Sequence, residues 1–343
     1  MSWTTWDLAP LPVVAAAVAL ALFVRGFLRL RRHGGARYAD GWRVPLMVLA
    51  LALATLSLVS PLDRAGDEFL LAVHMLQHVL LGDAAPALAL VALRGPLLFF
   101  VLPAPILRLL GHRRLLRGAL AFLLRPPVSL AVWALVIGAW HIPAAYDYAL
   151  GHQAVHDVEH LSFLTVGLLV WAQLVNPAHR HRLRPSQRLG CMVAMLAFAL
   201  ALAGILVATP PLYPAYAEQR VRLFGISPAL DQRLAGLVMI GEQVASLALC
   251  FAFLLPALRQ EAASRTVLQG AAGWASPLAA RGDNSSPEAV SALPGLFDLS
   301  KGTASVSDTP TTDVAAEAGV RRRRLPVVPS IDPRRPMRRG IFE

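Results

Sequence analysis

Apolar residues along this chain arrive in long runs, not at the 3.6- or 2-residue spacing of a half-buried helix or strand. Seven runs stand out: 8–24, 44–59, 69–93, 128–142, 156–175, 189–208 and 234–258. A helix that crosses a bilayer needs roughly 20 mostly apolar residues. Six runs read clearly as spans. The fourth is short, and Pro126 and Pro127 suit its first helical turn, where a missing N–H costs little. The stretch 96–110 is apolar too, but Pro103 and Pro105 break it and it is too short to span, which places it at the cytoplasmic interface. The pattern predicts an all-α membrane protein, a bundle of about seven transmembrane helices.

The polar residues between the runs orient the bundle. Segments 25–43 and 94–125 carry six Arg each and 176–188 carries four, whereas 60–68 has Arg64 alone, 143–155 has none and 209–233 has Arg220, Arg222 and Arg233. Basic residues are retained on the cytoplasmic side. The alternation therefore predicts an outer N-terminus and a cytoplasmic C-terminus. It also keeps 96–110 out of the membrane, since a span there would carry Arg113, Arg114, Arg117 and Arg125 outward. The first run lacks a preceding basic segment and reads as an anchor, not a cleaved signal. Trp3 and Trp6 suit the outer aromatic belt.

Composition agrees. A chain of 343 residues with 56% hydrophobic residues and a mean hydropathy of +0.55 is too apolar for a soluble class. The net charge of +11 is a topology signal and not a nucleic-acid footprint. Cys191 and Cys250 fall near predicted cytoplasmic helix ends, with no disulfide framework and no CxxC pair. Composition shifts after Arg259 to Ala, Ser, Gly, Pro, Asp and Glu, so the expected organisation is a membrane domain over 1–259 and a disordered basic cytoplasmic tail over 260–343.

The ten histidines divide unevenly. His33, His112, His179 and His181 lie in Arg-rich loops and read as solvated. His74, His78, His141, His152, His156 and His160 all fall at the predicted outer ends of helices three, four and five or in the loop joining the last two. His74 and His78 are four residues apart and share a helix face, and His156 and His160 repeat the spacing. Neutral imidazole ligates copper, zinc or haem iron, and two such pairs with His141 can enclose one ion. Gln77, Asp157 and Glu159 are candidates to orient the imidazoles, although Asp157 and Glu159 also suit a helix N-terminus, which is the preferred reading for Asp157. Met75 and Met239 are candidate soft ligands or core filler.

Two carboxylates, Asp83 and Glu242, fall near mid-bilayer, where an unpaired charge is expensive. They should be protonated, paired or facing a polar cavity. Asp231 and Gln232 open the last span and read as an N-cap with its neighbour or as part of the outer polar site.

Several stretches resemble the bacterial CtaG-type cytochrome c oxidase assembly factors, the multi-helix membrane family and not the single-span copper chaperone that has shared its name. They are His74-Met75-Leu76-Gln77-His78, Trp140-His141-Ile142-Pro143 leading to Tyr146-Asp147, and His156-Asp157-Val158-Glu159-His160-Leu161-Ser162-Phe163, with Pro211-Leu212-Tyr213-Pro214-Ala215-Tyr216 and Asp231-Gln232 before Ala235-Gly236. The likeness covers about residues 40 to 258. Asp83 departs from it, being more polar than the residue expected there. The resemblance implies maturation of a haem–copper oxidase in the bacterial cell (inner) membrane, with oxidase subunits as partners and copper handled at the outer face. The family's histidines map onto His74, His78, His141, His156 and His160.

Two other readings stay open: a metal-ion or proton transporter lined by Asp83 and Glu242, and a haem-binding electron carrier with bis-His ligation. A retinal protein is excluded, because Lys301 is the only lysine and lies in the tail. No catalytic triad, phosphate-cradling loop or zinc-finger spacing supports an enzyme.

Overall fold

The computed structural model describes Thr4, Trp6, residues 9–178 and residues 183–280, with side chains as far as Thr266. Trp3, His179, His181, Lys301 and the tail over 281–343 lie outside them. The described residues form helices and turns with no strand among them. Five helices are long and apolar enough to cross a membrane, and the number reaches seven when each of two bent helix pairs is counted as one span, a range that includes the seven runs. Many large apolar side chains, among them Leu11, Leu135 and Phe253, point outward and exposed. That is the arrangement expected of a bundle solvated by lipid.

The chain begins with α1 (Pro10–Leu30) and α2 (Arg43–Val59). Ser60 bends α2 by 48° into α3 (Pro61–Glu68), where its hydroxyl accepts the Leu62 N–H at 3.3 Å. The third span is α4 (Leu71–Val79) and α5 (Ala85–Ala92), joined by a π-helical turn over Leu80–Ala84. Pro86 offers no N–H to the preceding turn, which accounts for the wider winding there. Arg43 donates to the carbonyls of Ala92 and Arg94 at 3.1 and 2.5 Å, satisfying the end of α5 from the start of α2.

Three short helices follow, α6 (Leu97–Val101), α7 (Ala104–His112) and α8 (Arg114–Leu123), and none is long enough to span. α9 (Pro126–Trp140) makes a 76° bend with α8 and has prolines in its first turn, as the sequence predicts. Its 15 residues reach only about 22 Å of a roughly 30 Å hydrocarbon core. α10 (Pro143–Leu150) leads to α11 (Gln153–Val175), which ends on Asn176 in the left-handed conformation, φ 50°. α12 (Pro185–Ala208), α13 (Pro214–Ala217) and α14 (Pro228–Ala280) complete the described residues.

Some limits differ from the sequence reading. α1 runs on to Leu30 instead of stopping at 24, burying Phe27 and Leu30. α11 starts at Gln153, three residues before the apolar run. The largest departure is α14, which continues past 259 into the segment expected to lack regular structure. Residues 260–266 are mostly good helix formers. Glu261 also accepts the Ser186 N–H and hydroxyl, both at 2.9 Å, and pairs with Arg265 one turn on at 2.5 Å. The helix is thereby tied to the start of α12.

What positions the site is the approach of the third span to α11. A Cβ built on Gly167 would collide with the carbonyl oxygen of Gly82. With no side chain at either position, the two backbones touch one turn from His78 and two turns from His160. Trp140 donates to Ser162 at 2.9 Å and Gln173 donates to Ser129 at 3.1 Å, fastening α9 to α11.

Candidate metal centre

α4 and α11 each bring an i,i+4 histidine pair to the same end of the bundle. His74, His78, His156 and His160 are all buried, and each offers a ring nitrogen within 4.8 Å of those of the other three. Ring centroids stand 4.2 Å apart for His74 and His78, 4.1 Å for His156 and His160, and 5.2 to 6.2 Å for pairs across the helices. Two donors on one tetrahedral ion, each about 2.0 Å from it, lie about 3.3 Å apart. The His74 Nε2 to His78 Nε2 distance of 2.7 Å is shorter, and a bound ion would open that pair slightly.

The surroundings fix how His74 is protonated. The Tyr216 hydroxyl donates to the Gly66 carbonyl at 2.8 Å, so toward His74 Nδ1, at 3.2 Å, its oxygen accepts. Asp67 Oδ1 stands 3.2 Å from the same Nδ1. Both place the proton on Nδ1 and leave the Nε2 lone pair facing the other rings. Burial raises the Tyr216 phenol well above its ordinary range, so it remains a neutral hydroxyl. Tyr146 adds a phenol 3.3 Å from that of Tyr216.

Around these rings several buried polar atoms lack a hydrogen-bond partner: His78 Nδ1, His156 Nε2, His160 Nε2 and Glu159 Oε1. Each such atom costs roughly 1–3 kcal/mol when left unmet. A cation among four neutral imidazoles beside Asp67 and Glu159 would meet several of them at once, and the donor set fits one. Glu159 Oε1 is 3.8 Å from His78 Nε2 and Asp67 Oδ1 is 3.6 Å from His156 Nε2.

The other candidates are placed apart from this group. His141 closes α9 with Nδ1 donating to the Ile137 carbonyl at 2.8 Å, and its Nε2 is buried without a partner. His152 is exposed and stacks on Tyr148. Gln77 donates to Asp63 at 2.6 Å instead of to an imidazole. Asp157 neither caps α11 nor joins the site. It is exposed in the second turn and accepts from Gln153 at 3.0 Å. Met75 and Met239 pack in an apolar cluster with Leu71, Tyr146 and Leu206.

Asp231 does cap a helix, but not its own. Its two oxygens accept the N–H groups of Leu71 and Ala72 at 2.8 and 3.0 Å, capping α4, whose own N-cap residue, Leu70, has no side-chain acceptor. Ser227 serves α14, accepting the Leu230 N–H at 3.3 Å. Gln232 is a loop tether: it accepts from Leu212 N–H at 2.6 Å and donates to the Leu206 carbonyl at 2.9 Å. Deeper in the bundle, Asp83 accepts from the Trp171 indole and lies within hydrogen-bonding reach of Glu242.

Asp67 is the residue that the sequence reading missed. The available signal was Asp63 and Asp67 at helical spacing just before the His74 pair, in a segment too polar to span.

No curated protein and no solved structure matches the chain. The family described as cytochrome c oxidase caa3 assembly factor matches residues 21–260, which takes in the second half of α1, all of α2 to α13, most of α14, and every residue of the histidine group. The chain therefore belongs to the cytochrome c oxidase caa3 assembly factor family.

Proposed function

We propose that this assembly factor holds a copper ion transiently among His74, His78, His156 and His160, at the outer face of the cell membrane, and passes it to a haem–copper oxidase during maturation. The observation that carries the reading is the convergence of four buried ring nitrogens within 4.8 Å. All-imidazole ligation without thiolate suits a site that must also release its ion, since the softest and tightest donor is missing. The role is that of a carrier with no turnover of its own.

Charge supports the outer face. α3, α10 and α13, which supply Asp67, Tyr146 and Tyr216 to the histidine end, lie in the three Arg-poor segments, and the Arg-rich ones join the opposite helix ends. This orientation puts the C-terminus in the cytoplasm. The packing speaks against haem. His78 lies edge-on to Phe163 at 4.6 Å and His74 lies against Tyr146 at 5.2 Å, so aromatic side chains already pack on the rings that a haem would have to reach.

The test is made in cells. His74→Ala combined with His160→Ala should leave the factor in the membrane while the oxidase accumulates short of copper and loses activity. Unchanged oxidase activity with both substitutions would overturn the reading.

A further inference from the structure

At His78 the histidine centre adjoins a cavity of about 60 Å³. A space of that size accommodates about two waters, or one ion with its donors. Its lining falls into two chemical halves. Met75, Met239 and His141 offer two thioethers and an imidazole, and Asp83, Glu242 and Gln243 form the polar part. The cavity is under-satisfied as well as polar. His78 Nδ1, His141 Nε2 and Gln243 Nε2 belong to lining residues at least nine-tenths buried, and none has a partner. Glu242 Oε2 is also without one.

His141 is prepared as a donor. Its Nδ1 proton is committed to the Ile137 carbonyl, which leaves the lone pair on the unpartnered Nε2. The carboxylates set the charge that the space accepts. Asp83 and Glu242 lie within hydrogen-bonding reach of each other inside an apolar bundle. Two such groups side by side do not both ionise, so the pair carries at most a single negative charge. Neutral thioether and imidazole donors beside a single negative charge match a soft monovalent cation, and among biological metals that is Cu(I).

We propose that this cavity is a second copper position, taking one cuprous ion on His141, Met75 and Met239 with the Asp83–Glu242 pair as counter-charge. It rests on the reading of the four-histidine centre as a copper site and extends it. His78 forms the wall between the two positions, so an ion has a short route from one to the other.

The experiment is a Cu(I) titration of the purified full-length protein in detergent against a competing cuprous chelator, with X-ray absorption at each equivalent. The wild type is expected to take two ions, the first with nitrogen scatterers only and the second adding sulfur. Met75→Leu with Met239→Leu should remove the second ion and the sulfur signal while retaining the first. His141→Asn should weaken the second at least tenfold, as should Asp83→Asn, which keeps an acceptor for Trp171. Retention of the first ion shows that each variant is folded. Saturation of the wild type at one equivalent without sulfur overturns the second position and leaves the four-histidine reading intact. A joint loss of both ions in the His141→Asn variant overturns the second position as a separate one. No copper uptake by the wild type overturns both readings.

Discussion

Gly82 and Gly167 meet backbone to backbone, with no room for a Cβ on Gly167 beside the Gly82 carbonyl. The contact sets the distance between the two helices that carry the histidine pairs. Gly167→Ala should force α11 away from the third span, costing about 1–3 kcal/mol as overpacking does. Thermal unfolding in detergent should show a lowered Tm, and copper affinity should fall with it. The same substitution at Gly190, where a Cβ meets nothing, should leave both unchanged.

Asp231 holds the start of α4 from across the bundle, through the N–H groups of Leu71 and Ala72. Asp231→Ala removes both acceptors at once and should destabilise the protein by about 1–2 kcal/mol. Asp231→Asn keeps one oxygen and should recover part of the loss. Hydrogen exchange of the Leu71 and Ala72 amides reads the effect directly: faster exchange at these two positions is expected in the Ala variant, and equal exchange would show that the cap is not needed.

Tyr216 joins Gly66, Tyr146 and His74. Its folded-state pKa is raised above the ordinary 10 because burial penalises the phenolate. A raised value means stability that is fully present below pH 10 and declines as pH climbs toward the folded value. The wild type should therefore weaken in alkali more steeply than Tyr216→Phe, measured as Tm against pH. At neutral pH the Phe variant should bind copper roughly tenfold or more weakly, because His74 loses a partner that fixes its tautomer.

Asp67→Asn tests the other partner of His74 and the neighbour of His156. A fall of roughly 10- to 100-fold in copper affinity is expected, the range typical of residues that orient a ligand. An equal fall after Asp157→Asn would contradict the placement of Asp157 on the exposed side of α11.

The apolar spans were legible because bilayer thickness imposes run length directly, and the two histidine pairs because four residues return a helix to the same face. What the sequence hid is contact between distant segments. Asp231 looks like a cap for its own helix, yet the acceptor it offers is 160 residues from the Leu71 N–H it serves. Asp67 lies in a short polar stretch outside the apolar runs, and the helix that follows the bend at Ser60 brings it to His74. His141 shares the depth of the four histidines, but its place at the end of the short α9 sets it beside the cavity. Residues 260–266 were read by composition, which carries no trace of the Ser186–Glu261 contact that helps hold them helical.

The central claim concerns copper on His74, His78, His156 and His160, and metal analysis of the purified protein tests it most directly. After loading with Cu(I) and passage over a chelating column, the wild type should retain its tightest copper ion. Each single change of these four to Ala should weaken that ion by at least tenfold, or about 1.4 kcal/mol, with the exposed His152→Ala indistinguishable from wild type. Copper retained equally by all five variants, or by none including the wild type, would contradict the account.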